Sequence, residues 1–339
     1  MSALNAGKSK TRWLVRALCG GVILCALGLV GLYAYAGVYG LNGVLRRGWS
    51  VWVNVAPDDP GLPSSVRMGL RDQPPVAQAG QLAWRELAEG FEAGELPVIA
   101  AGTEVDRILL ARIDPRRYRF VVRNAPAGDR ELSDWMTELG AILVINGSYY
   151  SKRGTPDTPL LSSGILSGPA DYDAKHGAFV ASGAGVRIHD LKQEHWRQAF
   201  DGADDAVVSY PLLLAADGSS RVTAHPHWLA NRSFVAQDRS GNVVLGTTKE
   251  AFFSLERLAA FLRQAPLELT IALNLDGGPI ACQGIALGAF RRDFCGSWEL
   301  ASEDGKLRLL TQMLGRRRWA LPIVLAVLPN GARAQGPPG

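Results

Sequence analysis

The chain reads as an α+β fold: a mixed sheet domain with a few packed helices, preceded by one N-terminal transmembrane helix. Three observations predict it. After residue 80, apolar runs of strand length outnumber stretches of helical period. The helices that do occur fail to alternate regularly with the strands, which argues for α+β rather than a doubly wound sheet. And residues 17–45 carry no charge, long enough for the roughly 20 apolar residues a helix needs to cross a bilayer.

The elements follow in order. Residues 1–16 carry Lys8, Lys10, Arg12 and Arg16, and the positive-inside rule places that end in the cytoplasm. Arg46 and Arg47 follow the apolar stretch and reduce the bias. Trp13 and Tyr33 lie about 30 Å apart on a helix, a spacing that suits the two interfaces of a membrane. Ala34-Tyr35-Ala36 has the small-residue form of a signal-peptide cleavage site. The apolar segment is longer than such peptides use, so a retained anchor over 17–45 is the favoured reading. The expected location is the inner (cytoplasmic) membrane, single-pass, with the C-terminal domain in the periplasm or extracellular space. Pro57, Pro60, Pro63, Pro74 and Pro75 mark 46–80 as a linker. The domain proper runs over 81–330, and 331–339 is an expected disordered tail.

Within the domain, Trp84, Leu87, Ala88 and Phe91 have helical spacing, with Gly90 as the stop. Residues 106–114 and 118–123 read as strands on either side of an Asp-Pro turn. Ser133 is a cap for a short helix ending at Gly140. The unbroken apolar run 141–145 fits a strand buried on both faces. Further strands are expected at 177–182, 185–189, 206–214, 232–238 and 242–247, with turns at Asp217-Gly218 and Ser240-Gly241. Ser254 caps a helix whose Leu255, Leu258, Ala259 and Leu262 form one stripe, and Pro266 ends it. Strands 269–276 and 321–328 complete the list.

Composition excludes some functions. A formal net charge of +4 over 339 residues, with no basic face interleaved with aromatics, leaves nucleic-acid binding without support. The Arg316–Arg318 run reads as a solvated turn. Gly7-Lys8-Ser9 lacks the upstream glycine of a phosphate loop. Gly164 to Gly168 has the wrong spacing for a serine-hydrolase elbow, and no His-Glu-x-x-His is present. With five histidines in all, His225 and His227 read as loop residues rather than metal ligands. Asn146-Gly-Ser and Asn231-Arg-Ser match the glycosylation pattern at strand ends and read as accidental.

The chemistry concentrates where two apolar strands stop. Residues 271–278 read Ile-Ala-Leu-Asn-Leu-Asp-Gly-Gly. Residues two apart share a strand face, so Asn274 and Asp276 point one way, and Leu273 and Leu275 point into the core. Gly277 and Gly278 allow a sharp turn and a close backbone approach by a ligand. The strand 141–145 ends alike, in Asn146-Gly147-Ser148-Tyr149-Tyr150. Cys282 and Cys295 flank a short excursion just beyond; in an oxidising compartment they could form a disulfide beside the site. Cys19 and Cys25 fall in the apolar segment as packing residues.

In this order the segments resemble the phosphodiester glycosidase family. The resemblance rests on Ile145-Asn146-Gly147 before aromatics, Tyr210-Pro211-Leu212-Leu213, Arg232 opening a hairpin, and Asn274 to Gly278. It covers roughly residues 82–330. The family often has a second glycine where Ser148 stands and a polar or small residue where Pro279 stands. The resemblance implies a hydrolase that cleaves a sugar-1-phosphodiester, from a glycan or envelope polysaccharide, at the anomeric carbon. It assigns Asp276 as nucleophile or general base. Arg232 is the phosphate clamp, since a guanidinium pairs bidentately with phosphate oxygens. Asn146 and Asn274 would orient sugar hydroxyls or steady Asp276. Tyr149 or Tyr150 would stack on the ring, and Gly147, Gly277 and Gly278 would admit the substrate. No cofactor is required, although Asp276, Asn274 and Asn146 are oxygen donors suited to calcium or magnesium. The alternative from another class is a non-catalytic glycan-binding accessory of polysaccharide assembly or export.

Overall fold

The computed structural model describes residues 3–46, 50–223, 228–296, 299–303, 306–312 and 318–330. His225 and His227, Arg316 and Arg317, and the tail 331–339 fall outside them. The expected α+β class holds: the described strands form four sheets with a few helices against them. Every pairing between described strands is antiparallel, which narrows the mixed sheet to a mixture of orders rather than directions.

The largest sheet has eight strands. Along its main path it runs Leu212–Leu214, Leu269–Asn274, Ser233–Asp238, Val243–Thr248, Thr103–Ile113, Phe91–Ala100 and Gln78–Ala79, with Arg85–Ala88 also on Phe91–Ala100. A five-stranded sheet orders Phe290–Cys295, Cys282–Leu287, Leu143–Asn146, Ile323–Pro329 and Tyr118–Asn124. Their inner faces share one core. Leu245, Leu273 and Leu275 from the first pack with Leu143, Ile145 and Leu325 from the second. Phe179 and Val207 close that core from a second five-stranded sheet containing Gly177–Ser182 and Asp205–Ser209. The outer face of the large sheet is covered by the helix Leu255–Gln264 through Leu258, Phe261 and Leu262. As the sequence predicts, Ser254 Oγ accepts from Arg257 N at 3.3 Å and caps that helix.

Several expectations are corrected. The helix predicted around Trp84–Phe91 is a β-hairpin, Arg85–Ala88 with Phe91–Ala100, turning at Gly90 with φ 74°. In so short a run the helical and alternating periods both fit, and Gly90 marks a turn rather than a helix stop. The strand expected over 206–214 is two strands in two sheets, split at the cis Tyr210-Pro211 bond, because proline has no N–H to give a ladder. The short helix is Leu132–Leu139; its cap is Glu131, in a reciprocal pairing with Asp134, so Ser133 lies one residue inside it. Gly140 ends it in the left-handed conformation, as predicted.

The stretch 46–80, expected to be a linker, carries structure. Ser50–Val55 pairs with Lys306–Gln312 in a four-stranded sheet that also holds Glu299–Glu303 and Leu229–Ala230. The helix Ser64–Gly69 follows, and Leu62, Val66 and Leu70 are buried with Leu229 and Leu300. The prolines sit between these apolar residues and obscure them.

Ahead of all this runs the helix Ala3–Leu45, interrupted at Gly37 by a left-handed backbone with φ 61°. Its segment Trp13–Leu45 is long and apolar enough to cross a membrane. Cys19 and Cys25 lie on it as free, exposed cysteines.

Candidate active site

Register builds the site. Ser233–Asp238 and Leu269–Asn274 are antiparallel neighbours with Phe234 opposite Asn274. Two more residues along each chain place Arg232 opposite Asp276. The ladder continues in irregular form, with Leu275 N donating to Ser233 O and Gly278 N to Asn231 O, each at 2.9 Å. A third chain joins where the two large sheets meet: Asp276 N donates to Gly147 O at 2.9 Å, and Asn146 Nδ2 donates to Asp276 O at 2.7 Å. A fourth comes from Leu229–Ala230, whose Ala230 lies opposite Glu299. A cavity of about 210 Å³ opens between these strand ends, walled by Tyr149, Trp228, Arg232, Asp276, Gly277 and Glu299, with Thr223 and Leu255 at its edge.

Asp276 Oδ1 accepts from Gly277 N at 2.8 Å. Burial pushes its pKa up to about 8, and nearby Glu299 adds to the shift, whereas the Gly277 N–H and the Arg232 guanidinium oppose it. The residue keeps some exposure to the cavity. Arg232 is 5 % exposed. Its Nη2 donates to Trp228 O at 2.8 Å and its Nε to Phe253 O at 3.3 Å. Burial lowers its pKa, against the pull of Glu299, Tyr149 and Asp276. These bonds fix the guanidinium plane, and Nη1 lies next to Gly277: a Cβ there would sit 3.2 Å from it and 3.0 Å from Asn231 O. Gly278 has φ 68°, and a Cβ on it would fall 2.6 Å from Glu299 Oε2. The two glycines therefore let an arginine and a carboxylate crowd the turn.

The remaining predicted residues divide. Asn274 is fully buried; its Nδ2 donates to Tyr149 Oη at 2.8 Å and to Tyr210 O at 3.0 Å. Among the described residues its buried Oδ1 has no hydrogen-bond partner. Tyr149 walls the cavity, and its ring stacks on Tyr210 with centroids 4.2 Å apart. Burial, with Asp276 second, raises its pKa. Asn146 and Gly147 lie behind the cavity wall. Asn146 Oδ1 accepts from Cys282 N at 3.0 Å while its Nδ2 holds Asp276 O, so it steadies the Asp276 backbone and has no reach to a sugar. A Cβ on Gly147 would lie 2.4 Å from Ile323 Cγ2; this glycine serves strand packing. Tyr150 points away, its hydroxyl 2.8 Å from that of Tyr39 on the N-terminal helix. Asn146 and Asn231 are both buried, which leaves no surface for glycosylation there. Among the described residues no group of three His, Cys, Asp or Glu is placed to hold a metal.

Cys282 and Cys295 are bonded, as the sequence suggested, and stand opposite one another at the base of a hairpin. The bridge fits an oxidising compartment.

Sequence reading missed Glu299 and Trp228. Trp228 Nε1 donates to Glu299 Oε1, and both side chains face Asp276 and Arg232 across the cavity. Glu299 opens a short strand three residues after Gly296, where a Cβ would fall 2.2 Å from Gly278 O, a glycine the sequence reading passed over. The signal lay in the apolar residues of 50–70, whose packing on Leu229 and Leu300 carries that strand to the site.

The phosphodiester glycosidase family matches residues 139–281. The matched stretch runs from the end of the helix before Asn146 to just past Gly278, and so holds Asn146, Tyr149, Arg232, Asn274 and Asp276. Glu299 lies beyond it. Among solved structures, the catalytic domain of zebrafish N-acetylglucosamine-1-phosphodiester alpha-N-acetylglucosaminidase, auto-inhibited by its pro-peptide, is 13% identical. The alignment covers 82% of this chain and 87% of that one, with a TM-score of 0.43. A hypothetical protein from Synechocystis is 15% identical over 74% of this chain and 64% of the other, with a TM-score of 0.45. No curated protein matches the chain. The phosphodiester glycosidase match covers 139–281, in the domain that follows an apolar helix long enough to be a candidate membrane span.

Proposed function

We propose that the protein is an exported, membrane-anchored hydrolase that cleaves a sugar-1-phosphodiester at the anomeric carbon, without a metal. The observation that carries this reading is one cavity that gathers Asp276, Glu299 and Arg232 within and beside the segment that matches phosphodiester glycosidases. Arg232 holds the phosphate through two N–H groups, its plane already fixed by Trp228 and Phe253 carbonyls. Asn274 holds the cavity-wall residue Tyr149 through its Nδ2. The bond from C1 to the phosphate oxygen breaks, and its electron pair stays on that oxygen. A phosphate monoester is a weak base and needs little proton donation.

The raised pKa of Asp276 supports a role other than the nucleophile or base first expected for it. With a value of about 8, its carboxyl is largely protonated at neutral pH. It therefore gives its proton to the departing oxygen, and the nucleophile or base role passes to Glu299. Glu299 takes the proton of an attacking water as the water oxygen bonds to C1, in the two-carboxylate pattern of glycoside hydrolysis.

The test is turnover of N-acetylglucosamine-1-phosphomethyl and related sugar phosphodiesters in ¹⁸O-water. Label in the sugar supports C–O cleavage. Label in the phosphate means a phosphodiesterase. Tight binding with no product, unchanged in Asp276→Asn, means a glycan-binding accessory. Activity unchanged by EDTA supports the metal-free site.

A further inference from the structure

The N-terminal helix is tied to the domain through Tyr150, the next residue along the chain from the cavity-wall residue Tyr149. From Trp13 to Tyr33 a helix rises about 30 Å, the thickness of a bilayer's hydrocarbon, so Ala34 emerges among the lipid headgroups. Contact with the domain begins at that point. Arg153 Nη2 donates to Ala34 O at 2.9 Å, and the Lys152 ammonium sits 3.8 Å over the Tyr35 ring. Past the break at Gly37 the helix runs on along the domain. Tyr39 and Tyr150 meet hydroxyl to hydroxyl at 2.8 Å with their rings edge to face. Asn42 Nδ2 donates to Ala127 O at 2.7 Å, and Arg46 Nη1 to Asp129 O at 3.1 Å. Beyond the break, Tyr39, Asn42 and Arg46 recur every three or four residues, the spacing of a single helical stripe. Tyr150 adjoins Tyr149, whose ring walls the cavity. One peptide bond therefore separates a side chain held by the anchor from a side chain facing the substrate. Lys152 and Arg153, both exposed, lie level with headgroup phosphates, where basic residues are drawn to anionic lipid.

We propose that the substrate's phosphate joins its sugar to a membrane lipid, so that the site works on lipid-linked sugar phosphates at the bilayer surface. This rests on the hydrolase reading above and names its substrate class. A soluble phosphodiester gains nothing from a domain held against the bilayer surface. A lipid-linked one shares the membrane with the anchor, and its effective concentration rises accordingly.

The full chain would be reconstituted in phosphatidylethanolamine–phosphatidylglycerol vesicles. It would be offered N-acetylglucosamine-1-phosphate esterified either to a long polyisoprenyl chain in the same vesicles or to methanol in solution. The expected result is a kcat/KM about tenfold or more higher for the lipid ester. A Tyr39→Ala, Asn42→Ala double variant should lose most of that preference while hydrolysing the methyl ester as before. If folding suffers, the methyl activity falls, and Asn42→Ala alone carries the comparison. A methyl ester cleaved as well as the lipid ester, or a preference kept by the variants, overturns the lipid assignment and leaves the hydrolase standing. If neither ester is cleaved, the hydrolase reading fails and the lipid assignment falls with it.

Discussion

Asp276 shows how an acid is kept protonated beside an arginine. Burial and Glu299 outweigh the Gly277 N–H and Arg232. The consequence for stability has a definite sign. Below about pH 4 the carboxyl is protonated in both folded and unfolded chains and contributes nothing. Above that the unfolded chain releases its proton and the folded one does not, so stability falls as pH rises until the folded group ionises near 8. Asp276→Asn should therefore gain stability over wild type steadily as pH rises from about 4 to 8, with the difference vanishing near pH 4; thermal melts across that range check it. The same variant should lose less in kcat than the roughly 10²–10⁴-fold a general acid typically supplies, because the phosphate leaves with little proton donation, and wild-type kcat should decline as pH rises through about 8. Arg232→Lys tests the clamp. A single ammonium cannot bond to the Trp228 and Phe253 carbonyls and also present two N–H groups to phosphate. KM should rise about tenfold or more, with a smaller change in kcat.

At the scale of elements, the two strand ends with their glycines were legible, because an apolar run that stops in Asn-x-Asp-Gly-Gly has few other uses. What those glycines accommodate was not legible. Gly278 has its positive φ with Glu299 against it, and the only local mark before that carboxylate's strand is Gly296. Gly278→Ala should cost about 1–2 kcal/mol from left-handed backbone alone. Displacement of Glu299 should lower kcat as well, which stability matched by a neutral surface variant would separate. The hairpin 282–295 was legible as a disulfide, and its bond closes a short loop beside Asn146. Cys282→Ala with Cys295→Ala should cost roughly 2–4 kcal/mol by denaturant titration. The Trp84–Phe91 error has a different origin: eight residues of ambiguous period are decided by their partner strand, and no local pattern names the partner.

At the scale of the molecule, the site depends on a piece that composition misrepresents. Proline content made 46–80 look like a tether, yet its strand and helix complete the sheet that delivers Glu299. Ser50–Val55 occupies one edge of Lys306–Gln312, and that strand in turn holds Glu299–Glu303. Leu62, Val66 and Leu70 cover Leu229 and Leu300, the neighbours of Trp228 and Glu299. The helix before residue 46, by contrast, contributes one buried apolar residue, Ala36, to the described core. Two truncations should therefore behave differently. A chain beginning at residue 50 keeps every strand of the four-stranded sheet and should retain both its fold and the hydrolysis of a soluble phosphodiester. A chain beginning at 78 exposes Leu229 and Leu300 and leaves Lys306–Gln312 as a bare edge, which invites pairing between molecules. Uncovering two such leucines costs about 3–6 kcal/mol, a large share of a domain's net stability. The shorter chain should aggregate or melt well below the longer one, and lose turnover even where it stays soluble. Equal activity from both would mean that Glu299 is held in place by something other than the sheet that 50–70 completes.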